Sequence, residues 1–248
     1  MKHPLEKWLR AELLEEPEGA GKPVRSGEAD PREPVILLHG LWMTGLEMIT
    51  LARRLEHQGF QVERFKYPTV SAGVGENAQR LREHLLSRYP GRRVHFVGHS
   101  LGGLVMLHMA VDSPDLPLGR MVALGTPFLG SWTARRLAHY PLGEKMLGRS
   151  LEGALAWGGP RCVPERIEMG IIAGTFPLSL TRLLWGVEYP NDGTVSVSET
   201  MLPGAREHLR LPVTHMGTLF SKEVAELTGR FLRKGRFGGK RALSEAGE

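Results

Sequence analysis

With 248 residues, 41% of them hydrophobic and 24% charged, the chain can bury one large core and is too apolar for a wholly disordered protein. Its 31 Gly and 17 Pro follow no collagen period, and its longest apolar run, Leu101 to Val111, is interrupted by His108 and falls far short of the roughly 20 residues that span a bilayer. The net charge of +5 gathers near the C-terminus, where Arg230, Arg233, Lys234, Arg236, Lys240 and Arg241 follow Gly229 with no acidic residue among them, so the rest of the chain is nearly neutral and no broad basic face for nucleic acid is indicated.

Residues 1–33 open with LEKWLRAELLEE, in which Leu5, Trp8, Leu9 and Leu13 share one helical face, and continue as a Gly-, Pro- and charge-rich linker. From Pro34 the pattern changes to short apolar runs alternating with helical stretches. Strands are predicted at 34–40, 61–68, 93–100, 120–127 and 166–175, and helices at 46–57, 76–89 and 101–111. Repeated strand–helix–strand units cross over right-handedly, which predicts an α/β fold: a mostly parallel, doubly wound sheet with its functional residues at the carboxyl ends of the strands. The segment 128–164 breaks the rhythm. Trp132, Leu137, Tyr140, Met146, Leu147, Leu155 and Trp157 there suggest two short helices forming an inserted cap. A short strand, LRLPV, then precedes His215, and Gly217 opens a final amphipathic helix that ends the domain near 233. Residues 234–248 read as a solvated basic tail. The single cysteine, Cys162, cannot form an internal disulfide, and the first residues lack the apolar core of a secretory signal, so the expected location is the cytoplasm.

The chemistry is concentrated where strand RVHFV meets GHSLGG. A nucleophile on a sharp strand-to-helix turn needs small residues two positions to either side, and Gly98 and Gly102 flank Ser100 in that way. A serine hydroxyl at neutral pH needs a base, and the base needs an acid to orient it. Among the histidines beyond Ser100, His108 lies on the helix after the turn, His139 in the cap, and His208 ahead of the short strand. His215 follows that strand, at the carboxyl end, and is the predicted base. Asp192, in an Asn-Asp-Gly turn, is the predicted acid, with Glu188 its nearest competitor; Asp112 and Asp115 come too early. The backbone amides of Leu41, just past His39-Gly40, and Leu101 are the expected donors to a developing oxyanion.

VILLHGLW, FVGHSLGG, LGTPFLGS and NDGTVSVSET, with the late His215, resemble the segments of α/β-hydrolases of the lipase and esterase type over about Pro34 to Arg233. The chain is also similar to triacylglycerol lipases and glycosylphosphatidylinositol deacylases. That resemblance implies Ser100 as nucleophile, His215 as base, Asp192 as acid and Leu41 and Leu101 as oxyanion donors, with no metal or organic cofactor. It implies a carboxylic ester hydrolase acting through an acyl-enzyme. Trp42, Phe128 and Trp132 are the expected substrate-binding residues and favour an apolar acyl chain. The expected partner is a small-molecule or lipid ester. No nucleic acid is expected, and the N-terminal helix leaves room for peripheral contact with a membrane surface. Acyl transfer on the same residues, or a binding module that kept the scaffold without turnover, are the alternatives.

Overall fold

A computed structural model describes residues 32–151, 154–178 and 186–238. The helix expected around Leu5 to Leu13 lies outside the described residues. Six strands form one sheet: β1 (Pro34–Leu38), β2 (Gln61–Phe65), β3 (Val94–His99), β4 (Leu118–Leu124), β5 (Met169–Gly174) and β6 (Glu207–Leu211). Their spatial order is β2-β1-β3-β4-β5-β6, with every pair parallel. The order reverses once, between β1 and β3, and the register aligns Leu38 with Gly98 and Gly98 with Ala123. The ends of these central strands are therefore level where the Ser100 turn begins.

Side chains of a strand alternate between faces, and each face of this sheet has its own core. Ile36, Leu38, Phe96, Met121, Ala123 and Ile171 pack on one face against helices α2 (Val74–Arg88) and α3 (Leu101–Asp112). Val35, Leu37, Val97, Val122, Leu124 and Ile172 pack on the other, together with residues of α1 (Ile49–His57) and of the C-terminal helix Lys222–Lys234. Covered on both sides, the central strands read as nearly unbroken apolar runs. The edge strands do not: β2 is QVERF and β6 is EHLRL. Their charges discourage a further strand from pairing with the exposed edges.

Helix ends follow local chemistry. The Glu76 carboxylate accepts from the Gly73 amide at the start of α2 (3.1 Å). Ser221 Oγ accepts from Val224 N at the start of the C-terminal helix, which ends at Gly235 in the left-handed conformation (φ 67°) with its amide bonded to the Phe231 carbonyl.

Two expectations need correction. Among the described residues of 128–164 there are four short segments rather than two helices: α4 (Trp132–Ala138), α5 (Gly143–Leu147), a 3₁₀ turn (Gly148–Leu151) and α6 (Ala154–Trp157). Gly148, at φ 52°, and Gly158, at φ 90°, each turn the chain before a longer helix can form. The domain also continues past 233. The Phe237 ring, 1% exposed, packs on Phe231 with ring centroids 4.8 Å apart, and the Phe237 amide donates to Glu207. Arg230 turns back to donate to the Phe237 carbonyl (3.0 Å). The basic run is thus folded through Gly238 and only its continuation lies outside the described residues. After Gly217 the final helix comes in two pieces, α7 (Gly217–Phe220) and α8 (Lys222–Lys234), divided at Ser221.

Candidate active site

Ser100 stands between β3 and α3 at φ 52° and ψ −118°, a conformation that costs a non-glycine residue about 1–3 kcal/mol and persists only where its surroundings enforce it. They do so through close packing. A Cβ on Gly98 would lie 2.6 Å from the Gly103 backbone, and one on Gly102 would overlap the Leu38 carbonyl. The Ser100 amide donates to the Leu124 carbonyl (2.9 Å), which ties the turn to the end of β4.

The next residue on β4's exit, Gly125 (φ 55°), underlies a second pair of side chains: a Cβ there would lie 3.0 Å from both Asp192 Oδ2 and His215 Nδ1. His215 Nδ1 donates to Asp192 Oδ2 at 2.7 Å. Asp192 is 1% exposed and His215 has 12% of its side chain open to solvent. The carboxylate is fixed from behind, since Oδ1 accepts from Thr194 N (2.9 Å) and Val195 N (2.8 Å) within the Asn-Asp-Gly turn. The backbone repeats the link, with His215 N donating to the Asp192 carbonyl at 2.9 Å. Once Nδ1 carries the proton shared with Asp192, Nε2 of a neutral ring holds the lone pair a base needs. No hydrogen bond joins Ser100 Oγ to the ring among the described residues; contacts of this kind often form only when substrate docks.

The competing groups are placed elsewhere. Glu188 accepts from Ser198 Oγ at 2.5 Å and Asp115 pairs with Arg82 at 2.9 Å. His208 meets Thr200 Oγ1 at 2.8 Å, and burial together with the Arg210 charge lowers its pKa to about 4. His139 Nδ1 donates to the Arg135 carbonyl on α4.

Beyond β1, the Tyr67 hydroxyl donates to the His39 carbonyl and the two rings stack with centroids 4.4 Å apart. His39 Nδ1 donates to the Gly40 carbonyl (3.1 Å), and Met43 N donates to it as well (3.3 Å). This folding leaves the Leu41 amide without an acceptor among the described residues, and the Leu101 amide, at the first position of α3, is likewise left open. Trp42 follows at φ 59°, unusual for a large side chain. Its amide donates to Thr69 Oγ1 (3.2 Å) and its indole to the Met146 carbonyl of α5 (2.8 Å), so it bridges the loop after β1 to the cap. Trp132, on α4, is partly exposed, and its amide is held by the Glu199 carboxylate. Phe128, by contrast, is 1% exposed and belongs to the core.

A model of the alpha/beta hydrolase family matches residues 35–227. The chain belongs to the alpha/beta hydrolase family. Among solved structures this hydrolase is similar to the mature form of the lipase BlEst2 from Bacillus licheniformis, at 18% identity and a TM-score of 0.65 over 87% of this chain and 96% of that one. Against the propeptide form of the same lipase the identity is 19% and the TM-score 0.67, over 92% of this chain and 55% of that one, about half of the longer protein. A metagenomic carboxyl esterase, MGS0156, is similar at 20% identity and a TM-score of 0.55, over 82% of this chain and 70% of that one. At such identities the likeness concerns the fold. No curated protein sequence matched.

Three contacts within the hydrolase site are not visible in the sequence. His99 lies against His215 (ring centroids 4.6 Å apart), Thr218 Oγ1 donates to the His215 carbonyl (2.7 Å), and Glu199 joins the acid-bearing loop to the cap. Glu199, 7% exposed, accepts from Ser196 N (2.7 Å), Ser196 Oγ (3.0 Å) and the Trp132 amide. Burial raises its pKa, against which these donors and Arg135 work. Its proximity in sequence to NDG is a hint; its burial gives no such sign. Among the described residues no helix is long and apolar enough to cross a membrane, and no group of three or more His, Cys, Asp or Glu could hold a metal ion.

Proposed function

We propose that the chain is a serine hydrolase of carboxylic esters that works through an acyl-enzyme on Ser100. The observation that carries this reading is the buried Asp192–His215 hydrogen bond at the same carboxyl edge of the sheet as the strained Ser100 turn. In the reaction Ser100 Oγ attacks the ester carbonyl while His215 Nε2 takes its proton, and the Leu41 and Leu101 amides donate to the oxyanion. Donors of this kind are worth roughly 3 kcal/mol each in the transition state. The tetrahedral intermediate collapses, the C–O bond to the alcohol breaks, and the alcohol leaves with the proton from His215. Water then attacks the acyl-enzyme, giving its proton to His215, and the acid departs as that proton returns to Ser100. Asp192 holds the ring and stabilises its charged form throughout.

An apolar acyl chain is the favoured substrate part. Trp42 and Trp132 are partly exposed beside the loop after β1 and on the cap, and Trp157, Leu142, Tyr140 and Met146 add exposed apolar surface there. Phe128 contributes through packing. This surface supports an ester presented by a lipid rather than a small polar one, and with it a peripheral contact with a lipid surface. The single cysteine, free and exposed, is in keeping with a reducing, cytoplasmic setting. Acyl transfer to an alcohol remains the second chemistry of the same residues.

The test is intact-mass detection of a fluorophosphonate adduct on the full chain. One adduct on the wild type that disappears in Ser100→Ala and His215→Ala is expected, followed by turnover of p-nitrophenyl esters that rises with acyl length. A folded wild type that takes up no adduct, with or without detergent, would favour a binding module instead.

A further inference from the structure

Resting on the serine-hydrolase reading, we infer that His99 is a positioning residue for His215: its Nε2–H bond to the His215 carbonyl and its ring packing hold the base in place over Ser100. His99 immediately precedes the predicted nucleophile, is 0% exposed, and directs Nε2 at the His215 carbonyl oxygen, 3.2 Å away. A carbonyl only accepts, so the proton is on Nε2 and Nδ1 holds a lone pair. That lone pair has no hydrogen-bond partner.

Leaving a buried acceptor unsatisfied is unfavourable, whereas an apolar side chain of the same shape would carry no such cost. The packing of a strand end therefore does not explain a histidine here, while the bond to His215 does. The ring has a second neighbour on the opposite side. A Cβ on Gly40 would lie 2.9 Å from His99 Nδ1 and 3.2 Å from Ser100 Cβ. One imidazole is thus wedged between the base and the loop that carries the Leu41 amide, and fixes the spacing between the two.

Electrostatics fits this role. Burial, then the neighbouring His215 charge, drives the pKa of His99 well below the usual histidine value. His99 remains neutral while His215 becomes charged in the reaction, so it donates its bond without opposing the imidazolium. Thr218 Oγ1 donates to the same carbonyl, but it stands on α7, the element that follows the base. His99 supplies the link to the nucleophile's own strand.

The experiment compares wild type, His99→Gln, His99→Phe and His99→Leu as full-length proteins. Thermal unfolding and circular dichroism verify folding, the rate of fluorophosphonate labelling reports on Ser100, and kcat and KM are measured for one p-nitrophenyl ester across pH. The Gln amide nitrogen can take the place of Nε2; the apolar side chains cannot. Displacing a reacting group by a fraction of an ångström to an ångström costs up to about a hundredfold in rate, so the Phe and Leu variants are expected to lose about ten- to a hundredfold in kcat and labelling rate. Their KM should change little, and Gln should recover most of the loss. A role in packing alone would move the melting temperature without this split or rescue. Folded Phe or Leu variants with wild-type kcat would overturn the inference, as would a Gln variant no better than Phe. If Phe and Leu both fail to fold, Gln is compared instead with His99→Asn, whose shorter amide does not reach the carbonyl; a faster Gln variant would support the inference and equal rates would overturn it. A wild type that reacts with no probe sinks the serine-hydrolase reading itself, and this inference with it, a result distinct from a reactive wild type whose variants match it.

Discussion

Asp192 joins its own turn to His215 through both side chain and backbone. Its Oδ2 accepts from His215, its Oδ1 from two amides of its own turn, and its backbone carbonyl from the His215 amide. In the proposed mechanism, Asn in its place keeps the shape but removes the negative charge that would stabilise the imidazolium and select its tautomer. Asp192→Asn is therefore expected to lower kcat by about three to four orders of magnitude with the fold retained, measured by steady-state ester hydrolysis beside unfolding curves. Glu188→Gln should be silent in the same assay, because Glu188 bonds Ser198 and makes no contact with the base. At this scale the sequence is informative wherever function demands a residue type at a fixed spacing. Gly98, Ser100 and Gly102 can be read directly, since a strained turn admits few alternatives. His99 and Glu199 cannot, because their roles depend on which atoms lie across a gap of many residues. The burial of Phe128 in the core is equally hidden, because an aromatic side chain has the same letter whether it is exposed or buried.

Among the elements, the central strands are legible as apolar runs bounded by turns, and the observed strands stand within a few residues of those expected. The ends of elements are not, because the chain stops pairing where the neighbouring strand stops. The cap shows the limit of periodicity: apolar residues at helical spacing predict helices, and glycines in the left-handed conformation divide them into shorter ones. The C-terminus shows a different limit. Charge suggests a frayed tail, yet Phe237 enters the core against Phe231 and Arg230 closes over it. Two buried aromatics outweigh the local density of like charge, since long basic side chains keep their heads in water while their stems cover apolar surface. Phe237→Ala is accordingly expected to destabilise the protein by about 3 kcal/mol or more, read from urea unfolding of the full chain. A tail that was merely solvated would give no change.

Across the whole molecule, the histidines set how stability responds to acid. Burial lowers the pKa of His39, His95, His99, His108 and His208 in the folded protein, while the unfolded chain titrates near the ordinary value of about 6.5. Below that value the unfolded state binds more protons than the folded one, so stability falls as pH is lowered from about 7 toward 5 and is flat above. Glu199, raised by burial, acts in the opposite direction and offsets part of the loss. The expected result is a melting temperature that drops across that window; His208, at about 4, alone accounts for roughly 2 kcal/mol, or several degrees, and the other rings add to it. It can be followed by differential scanning fluorimetry in buffers of constant ionic strength. A melting temperature that rose on acidification would mean that these rings are charged in the folded state.

The strand order has a consequence for how the protein comes into being. The Ser100 turn is tied to the end of β4 through Leu124, but His215 follows β6, which pairs with β5 at the edge of the sheet. A chain leaving the ribosome N-terminus first therefore makes Ser100 well before His215, the proposed base. On the proposed function, competence arrives only when β6 docks at the sheet's edge and brings His215 to Asp192. Under that proposal an ester meets an unactivated hydroxyl until then, and the finished sheet is the condition for the reaction.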